Sequence, residues 1–83
     1  MAHSIIKSNN QLYFKLYGIV DANDAIESNI LQILDENYSK LTLDISNVLV
    51  YNEFVEGFKE LFTQYHLEHN NVTIKERANV SWL

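Results

Sequence analysis

Apolar residues recur along this chain with two different periods, and segments of one period alternate with segments of the other. A period of two, typical of β-strands with one buried face, runs through residues 11–17 and 41–45. A helical period, with apolar residues three and four positions apart, runs through residues 26–34 and 54–65. A chain that alternates in this way favours an α/β architecture, in which helices pack on a sheet.

Polar residues indicate where the predicted elements begin and end. Asn9-Asn10 lies between two strand-forming segments and predicts a hairpin turn, because Asn tolerates a positive φ. Asp24 is the predicted N-cap of the first helix, with Glu27 completing a capping box, and Asn37 is its predicted left-handed C-cap. The apolar stripes of the two helices are Ile26, Ile30, Ile33 and Leu34, followed by Phe54, Phe58, Leu61, Phe62 and Tyr65.

The predicted order of elements is β-β-α-β-α-β, with a last strand at residues 72–74. Crossovers from strand through helix to strand favour parallel pairing, and they are nearly always right-handed. We therefore predict one α/β domain over residues 1–83, with a single mixed sheet of four to five strands and two helices on the same face. The uncovered face of the sheet would carry Tyr13, Lys15 and Tyr17.

The composition excludes several classes of protein. The chain has no cysteine, which excludes disulfides, thiolate nucleophiles and zinc sites built on cysteine. Its net charge of −5 predicts no nucleic-acid partner, because phosphate backbones are repelled. No apolar run approaches the roughly 20 residues of a membrane span, so we expect no membrane insertion and a cytoplasmic location.

The polar residues form no recognisable catalytic, metal or cofactor motif. His66 and His69 have a spacing that suits two metal ligands, but Glu68 lies on another side of the helix, and two ligands rarely hold zinc tightly. The two glycines, Gly18 and Gly57, are too far apart to form a phosphate-binding loop or a nucleophile elbow. We therefore expect a non-enzymatic protein with no metal and no cofactor.

Two segments carry a resemblance to a known family. Residues 16–22, Leu-Tyr-Gly-Ile-Val-Asp-Ala, end a predicted strand, and residues 41–48, Leu-Thr-Leu-Asp-Ile-Ser-Asn-Val, form a later one. Together with the order of elements they resemble the STAS domain, the sulfate transporter and anti-sigma-factor antagonist family, over residues 5–76. The resemblance implies a STAS-like fold and a module that regulates or scaffolds a partner protein.

The chain departs from that family in the loop before the second helix. Anti-sigma-factor antagonists carry a phosphoacceptor Ser there, whereas this chain has no Ser or Thr between Asn47 and Phe62, so we predict no phosphorylation switch. Glu53 either supplies a permanent negative charge in place of phosphoserine or complements the dipole of the helix. We also expect the family's final helix to be missing, since little sequence follows Ile74.

The start of the second helix is the predicted partner-binding site, because partners dock at this edge in STAS-like domains. Its predicted residues are Tyr51, Asn52, Glu53, Glu56 and Glu60. Tyr51 would be a buried anchor, and the acidic stripe either meets a partner protein with a basic surface or is an ordinary solvated face. On the uncovered sheet face, Tyr13 and Tyr17 are predicted to support a homodimer.

Two alternative functions use the same architecture. The Asn-rich, Pro-free composition is typical of an AT-rich bacterial or viral genome, so a small phage or mobile-element protein that inhibits a host protein is one alternative. The other is a carrier of a small ligand, a nucleotide or a lipid, which the STAS resemblance implies. The sequence contains no phosphate-binding loop that would support the carrier.

Overall fold

The computed structural model describes residues 2–77, so Met1 and residues 78–83 of the predicted domain, with Trp82 and Leu83, lie outside the described part. The described elements are β1 (His3–Ser8), β2 (Gln11–Gly18), α1 (Ala22–Ser28), α2 (Ile30–Asp35), β3 (Lys40–Val48), α3 (Glu53–His69) and β4 (Val72–Lys75). The four strands form one mixed sheet in the order β1-β2-β3-β4. The predicted α/β class with a single mixed sheet is confirmed.

β1 and β2 form an antiparallel hairpin whose turn is Asn9-Asn10. The two asparagines have positive φ angles of 51° and 61°, and Ser8 pairs with Gln11 across the turn. Two consecutive left-handed residues make the turn whose twist matches that of paired strands, and Asn adopts this conformation more readily than most residues. The predicted hairpin turn is confirmed.

β2, β3 and β4 are parallel, and helices join them. β2 connects to β3 through α1 and α2, and β3 connects to β4 through α3. Because both crossovers run across the sheet in the same direction, and such crossovers are right-handed, all three helices lie on one face. The opposite face carries no helix from residues 2–77, in agreement with the predicted layering.

The core lies between the sheet and the helices, and Phe14 is at its centre. Phe14 is fully buried, and its ring centroid lies 5.3 Å from that of Phe58 and 5.8 Å from that of Phe62. Tilted aromatic rings at such distances attract one another beyond the area that they bury. The inward-facing strand residues complete the core: Leu12, Leu16, Leu41, Leu43 and Ile45.

The first helical segment is two short helices rather than the single helix predicted. Asn29 has a left-handed conformation, with φ 54° and ψ 50°, and it separates α1 from α2. The break changes the direction of the apolar stripe, so that Ile30 and Ile33 are buried while Ile26 is 74% exposed. The predicted inward position of Ile26 was therefore wrong, because the stripe assumed an unbroken helix.

Both predicted ends of this helical segment were also wrong. The N-cap is Asp21, so the capping box pairs Asp21 with Asp24 rather than Asp24 with Glu27. The two possible boxes have the same spacing, and the buried contacts of Asp24 described below favour the earlier one. At the other end Glu36 caps α2 in an extended conformation, so Asn37 is not a left-handed cap.

α3 carries most of the predicted second stripe on its inward face. Phe58 and Phe62 are buried, but Phe54 is 37% exposed. Val55, fully buried, takes the inward position in the first turn and leaves Phe54 at the edge of the stripe. The predicted core position of Phe54 was therefore wrong, and its ring contributes to the surface.

We expect Phe58→Ala to lower the free energy of unfolding by about 3–5 kcal/mol, because the change leaves a cavity beside Phe14. The control Phe54→Ala removes a ring of the same size from a partly exposed position, and we expect a loss of only about 1 kcal/mol. Urea denaturation of both variants measures the difference. Equal losses would contradict the assignment of Phe58 to the core.

Candidate functional site

Asn52 joins the start of α3 to the loop that follows β2. Its Oδ1 accepts hydrogen bonds from the backbone N–H groups of Phe54 and Val55, both at 3.1 Å, and so caps the helix. Its Nδ2 donates to the backbone carbonyl of Val20 at 2.8 Å. An amide side chain serves both roles because it carries an acceptor and a donor. Asn52, predicted to bind a partner, is thus half-buried and fully used within the fold.

Tyr51 and Glu56 lie on the flank of α3 that faces β4. The Tyr51 hydroxyl donates a hydrogen bond to Glu56, and the Lys59 ammonium lies 5.8 Å from the centroid of the Tyr51 ring. Lys59 also forms an ion pair with Glu76 at 2.6 Å. Burial, and then the bond to the Glu56 carboxylate, raise the pKa of Tyr51, so its hydroxyl stays a neutral donor. These contacts hold both residues within the domain.

The opposite flank of α3 faces α1 and α2 across a groove of about 370 Å³, which we call the α1–α3 groove. Its lining is mostly apolar: Ala25, Ile30, Phe54, Gly57, Phe58 and Leu61, with the polar residues Glu53, Glu60 and Gln64. A Cβ added at Gly57 would meet no atom within 4 Å, so the groove is open at this point. The groove offers an apolar surface bordered by carboxylates.

Glu53 and Glu60 are exposed at this groove and are unpaired. No ion pair among residues 2–77 involves either carboxylate. Glu56 points instead toward Tyr51, on the other flank of the helix. The residues predicted to form one site therefore lie apart: Glu53 and Glu60 border the groove without an ion pair among residues 2–77, whereas Tyr51, Asn52 and Glu56 form contacts within the domain.

A buried polar cluster connects β1 to α1. Asp24 is 1% exposed, and its Oδ1 accepts from the backbone N–H of Ala2 at 2.6 Å and from Nδ1 of His3 at 2.7 Å. Its Oδ2 accepts from the backbone N–H of Asp21 at 2.9 Å. Burial opposes the charged carboxylate, but the hydrogen bonds from Asp21, His3 and Ala2 outweigh it and lower the pKa of Asp24.

The side of the sheet that carries no helix is here called the open face, and it includes Ile6, Tyr13, Lys15, Tyr17, Thr42, Asp44, Thr73 and Lys75. Tyr17 is 38% exposed and Tyr13 is half-buried. The Tyr13 hydroxyl donates to Asp44, which also accepts from the Ser46 hydroxyl at 2.6 Å. Burial opposes the charge of Asp44, but the bonds from Ser46 and Tyr13 lower its pKa. Of the two tyrosines predicted for self-association, Tyr17 is the more exposed.

The histidines at the end of α3 have structural roles. Nδ1 of His66 accepts from the backbone N–H of Val72 at 3.1 Å, and the ring of His69 stacks on Tyr65 with centroids 4.0 Å apart. Within residues 2–77, no three His, Asp or Glu side chains gather as metal ligands. No helix in the same range combines the length and apolar character that crossing a membrane requires.

Sequence reasoning missed one side of the groove and the whole Asp24 cluster. Ala25 and Ile30 line the groove from helices that lie far from α3 in the chain, so no local spacing could associate them with Glu53. His3 and Asp24 are 21 residues apart and likewise share no local pattern. A weak signal was present for Gly57, since a glycine inside a predicted helix lowers helix stability and removes the side chain from that position.

Comparison of the chain with protein-family models, with curated protein sequences and with solved structures finds no match. The resemblance to the STAS domain therefore stays a prediction that rests on the motifs and on the order of elements.

We expect Asn52→Ala to lower the free energy of unfolding by about 2 kcal/mol, through loss of the helix cap and of the bond to Val20. Asn52→Asp keeps the cap but places a carboxylate oxygen against the Val20 carbonyl. Urea denaturation of both variants separates the two roles. If Asn52→Asp matched the unchanged protein, the link to Val20 would be irrelevant to stability.

Asp24 should make stability depend on acid pH. Because its pKa is lowered in the folded state, its contribution is complete above the ordinary value of 3.8 and is lost as the pH falls through the lower folded value. We expect Asp24→Asn to cost about 3 kcal/mol at neutral pH, since buried donors lose a charged acceptor. The variant should also lose less stability between neutral and strongly acid pH.

Urea denaturation across this pH range tests the prediction, with Asp35→Asn, a change at an exposed carboxylate of α2, as the control. The control should follow the unchanged protein. Parallel pH curves for Asp24→Asn and the unchanged protein would contradict the assigned role of Asp24.

Proposed function

We propose that this protein is a non-enzymatic interaction module that binds a partner protein through the α1–α3 groove. The observation that carries the proposal is an open apolar groove bordered by two carboxylates, Glu53 and Glu60, which pair with no cation among residues 2–77. An apolar surface rimmed by polar residues is a common place for a partner or a ligand to dock. The groove is therefore the surface on which a partner gains most by docking.

The partner that fits this groove is an amphipathic helix with basic residues beside its apolar face. Phe54 and Leu61, seven residues apart, offer apolar contacts two helical turns apart along the groove. Lys or Arg side chains of the partner would meet Glu53 and Glu60 at the border, which sets the register of the helix. The net charge of −5 would also speed the encounter with a basic partner.

The groove includes Glu53 of the docking edge that the STAS resemblance implies, at the first turns of α3, whereas Tyr51 and Glu56 of that edge lie on the other flank of the helix. A regulator of a cellular partner and a phage protein that inhibits a host protein would both use this surface. They differ in which protein supplies the basic helix, so the structural proposal covers both.

The carrier function would use the same groove, whose volume lies within the range of about 300–1,000 Å³ found for ligand pockets. Glu53 and Glu60 would repel the phosphates of a nucleotide. Among the two ligand classes, a lipid chain therefore suits the groove better than a nucleotide does.

We expect the protein to bind a synthetic amphipathic helix of Leu and Lys, and to bind a scrambled peptide of the same composition more weakly. In an NMR titration the amide signals of Gly57 and Leu61 should shift. The double change Glu53→Lys/Glu60→Lys should weaken binding by about tenfold or more, since two ion pairs become repulsive. The matched control is Glu68→Lys/Asp35→Lys, which changes the net charge equally on exposed helix positions away from the groove.

A second variant tests the groove without changing charge. Gly57→Leu places a side chain in the open space of the groove, and it should block the peptide while keeping α3 stable, because Leu favours a helix more than Gly does. If both charge-reversed proteins bound the peptide equally well, the interaction would depend on net charge and not on the groove. Undiminished binding by Gly57→Leu would move the docking surface elsewhere.

A further inference from the structure

The charges of this chain are segregated between the two faces of the sheet. Four of its six cationic side chains belong to the open-face side: Lys15, Lys40, Lys75 and Arg77. None of the four forms an ion pair among residues 2–77. The remaining two, Lys7 and Lys59, are paired with Glu36 and Glu76. An acidic protein thus keeps its free cations on one surface.

Among residues 2–77, only one carboxylate faces the open side, and it is not available to a partner. Asp44 pairs with Lys15 and Lys75 in the sheet register, is 4% exposed, and accepts hydrogen bonds from Tyr13 and Ser46. Of the other ten side-chain carboxylates, nine lie on the helices or in the segments next to them, and the tenth, Glu76, follows β4 and is paired with Lys59 of α3. The accessible charge of the open face is therefore positive.

Aromatic rings alternate with these cations. Tyr13, Lys15 and Tyr17 follow one another along the outward side of β2, at steps of about 6.7 Å. The Lys75 ammonium of β4 lies over the Tyr13 ring, 5.6 Å from its centroid, so the first ring carries a cation on its face and Tyr17 is the ring left for stacking. A row of ring, cation and ring is complementary to a polymer in which flat bases alternate with phosphate groups.

We propose that the open face binds single-stranded nucleic acid, with Tyr17 stacking on an unpaired base and Lys15, Lys75 and Arg77 contacting phosphates. Aromatic side chains within a basic groove are the general means of holding single strands, because every base has a face that can stack. The site lies across the sheet from the α1–α3 groove, so it does not depend on the proposed partner helix.

The net charge of −5 predicted no nucleic-acid partner, because an argument from net charge assumes that the charges are evenly spread over the surface. The shortest dimension of the molecule is 21 Å, whereas charges are screened over about 8 Å at physiological ionic strength. A strand on the open face would respond mainly to the cations beneath it. The acidic helices on the other side of the sheet would repel it only weakly.

The same charges disfavour the predicted homodimer through Tyr13 and Tyr17. A two-fold axis over the open face would bring the cations of one copy against those of the other, and the part of the open face that residues 2–77 form has no accessible carboxylate to offset them. A polyanion satisfies these cations, whereas a second copy packed in this way does not.

Fluorescence anisotropy of the full chain with a short labelled oligouridine tests the proposal. We expect saturable binding at low salt, weakening as salt rises with a slope of about 0.7 per phosphate contacted. Lys15→Gln/Lys75→Gln should reduce that slope and weaken binding by about tenfold or more. Lys7→Gln/Lys59→Gln, which removes the same charge from the helix side, should change binding much less.

The stacking role of Tyr17 has its own pair of variants. Tyr17→Ala should weaken binding by about tenfold, in line with the loss of one stacked base, whereas Tyr17→Phe keeps the ring and should bind almost normally. Unchanged melting temperatures show that the variants remain folded, since these side chains lie outside the core.

Three results would overturn the proposal. Absence of oligouridine binding at low salt is the first. Equal binding of polyglutamate or of a duplex of the same length would reduce the site to a general attraction for anions. A dimer in sedimentation that Tyr17→Ala dissociates would assign the open face to a second copy of the chain.

Discussion

The two crossovers of this fold run across the sheet in one direction, and crossovers of this kind are nearly always right-handed, because a right-twisted strand leads its following helix to that side. As a result α1, α2 and α3 share one face, on which α1 and α2 lie beside α3 and form the groove between them. The same constraint leaves the other face without a helix from residues 2–77. One geometric rule thus produces an apolar groove with acidic borders on one side and a basic, aromatic surface on the other.

Much of the architecture follows from local patterns in the sequence. Alternation at Leu12, Phe14 and Leu16 was sufficient to place β2 and its buried side, since side-chain direction in a strand depends only on parity. Asn29 could not be placed in this way, because its left-handed conformation interrupts an apolar pattern that reads as one helix. Two capping boxes were also possible, Asp21 with Asp24 and Asp24 with Glu27, and they have the same spacing. Only the tertiary contact of Asp24 with His3 favours the first.

The candidate site was predicted only in part, because local spacing identifies residues on one helix but not their tertiary contacts. Glu53 and Glu60 were recognised because they share a helix. The orientation of Glu56, in contrast, depends on Tyr51, since the Glu56 carboxylate accepts a hydrogen bond from the Tyr51 hydroxyl. Asn52 and Asp24 show a related pattern, since each uses one side chain to cap a helix and to bind a second segment of the chain. Each of these two side chains caps a helix and also binds a second segment, so residue type alone does not distinguish a residue that binds a partner from one that stabilises the fold.

The order of strands in the sheet is also their order in the chain. Each strand after the first can pair with a neighbour that has already been synthesised, and none has to be inserted between two strands already formed. The β1–β2 hairpin closes a short segment at little cost in entropy, whereas each parallel pairing joins residues about thirty positions apart and forms more slowly. This topology therefore allows the domain to assemble from its N-terminus onward while the ribosome is still extending it, with α3 and β4 closing the core last.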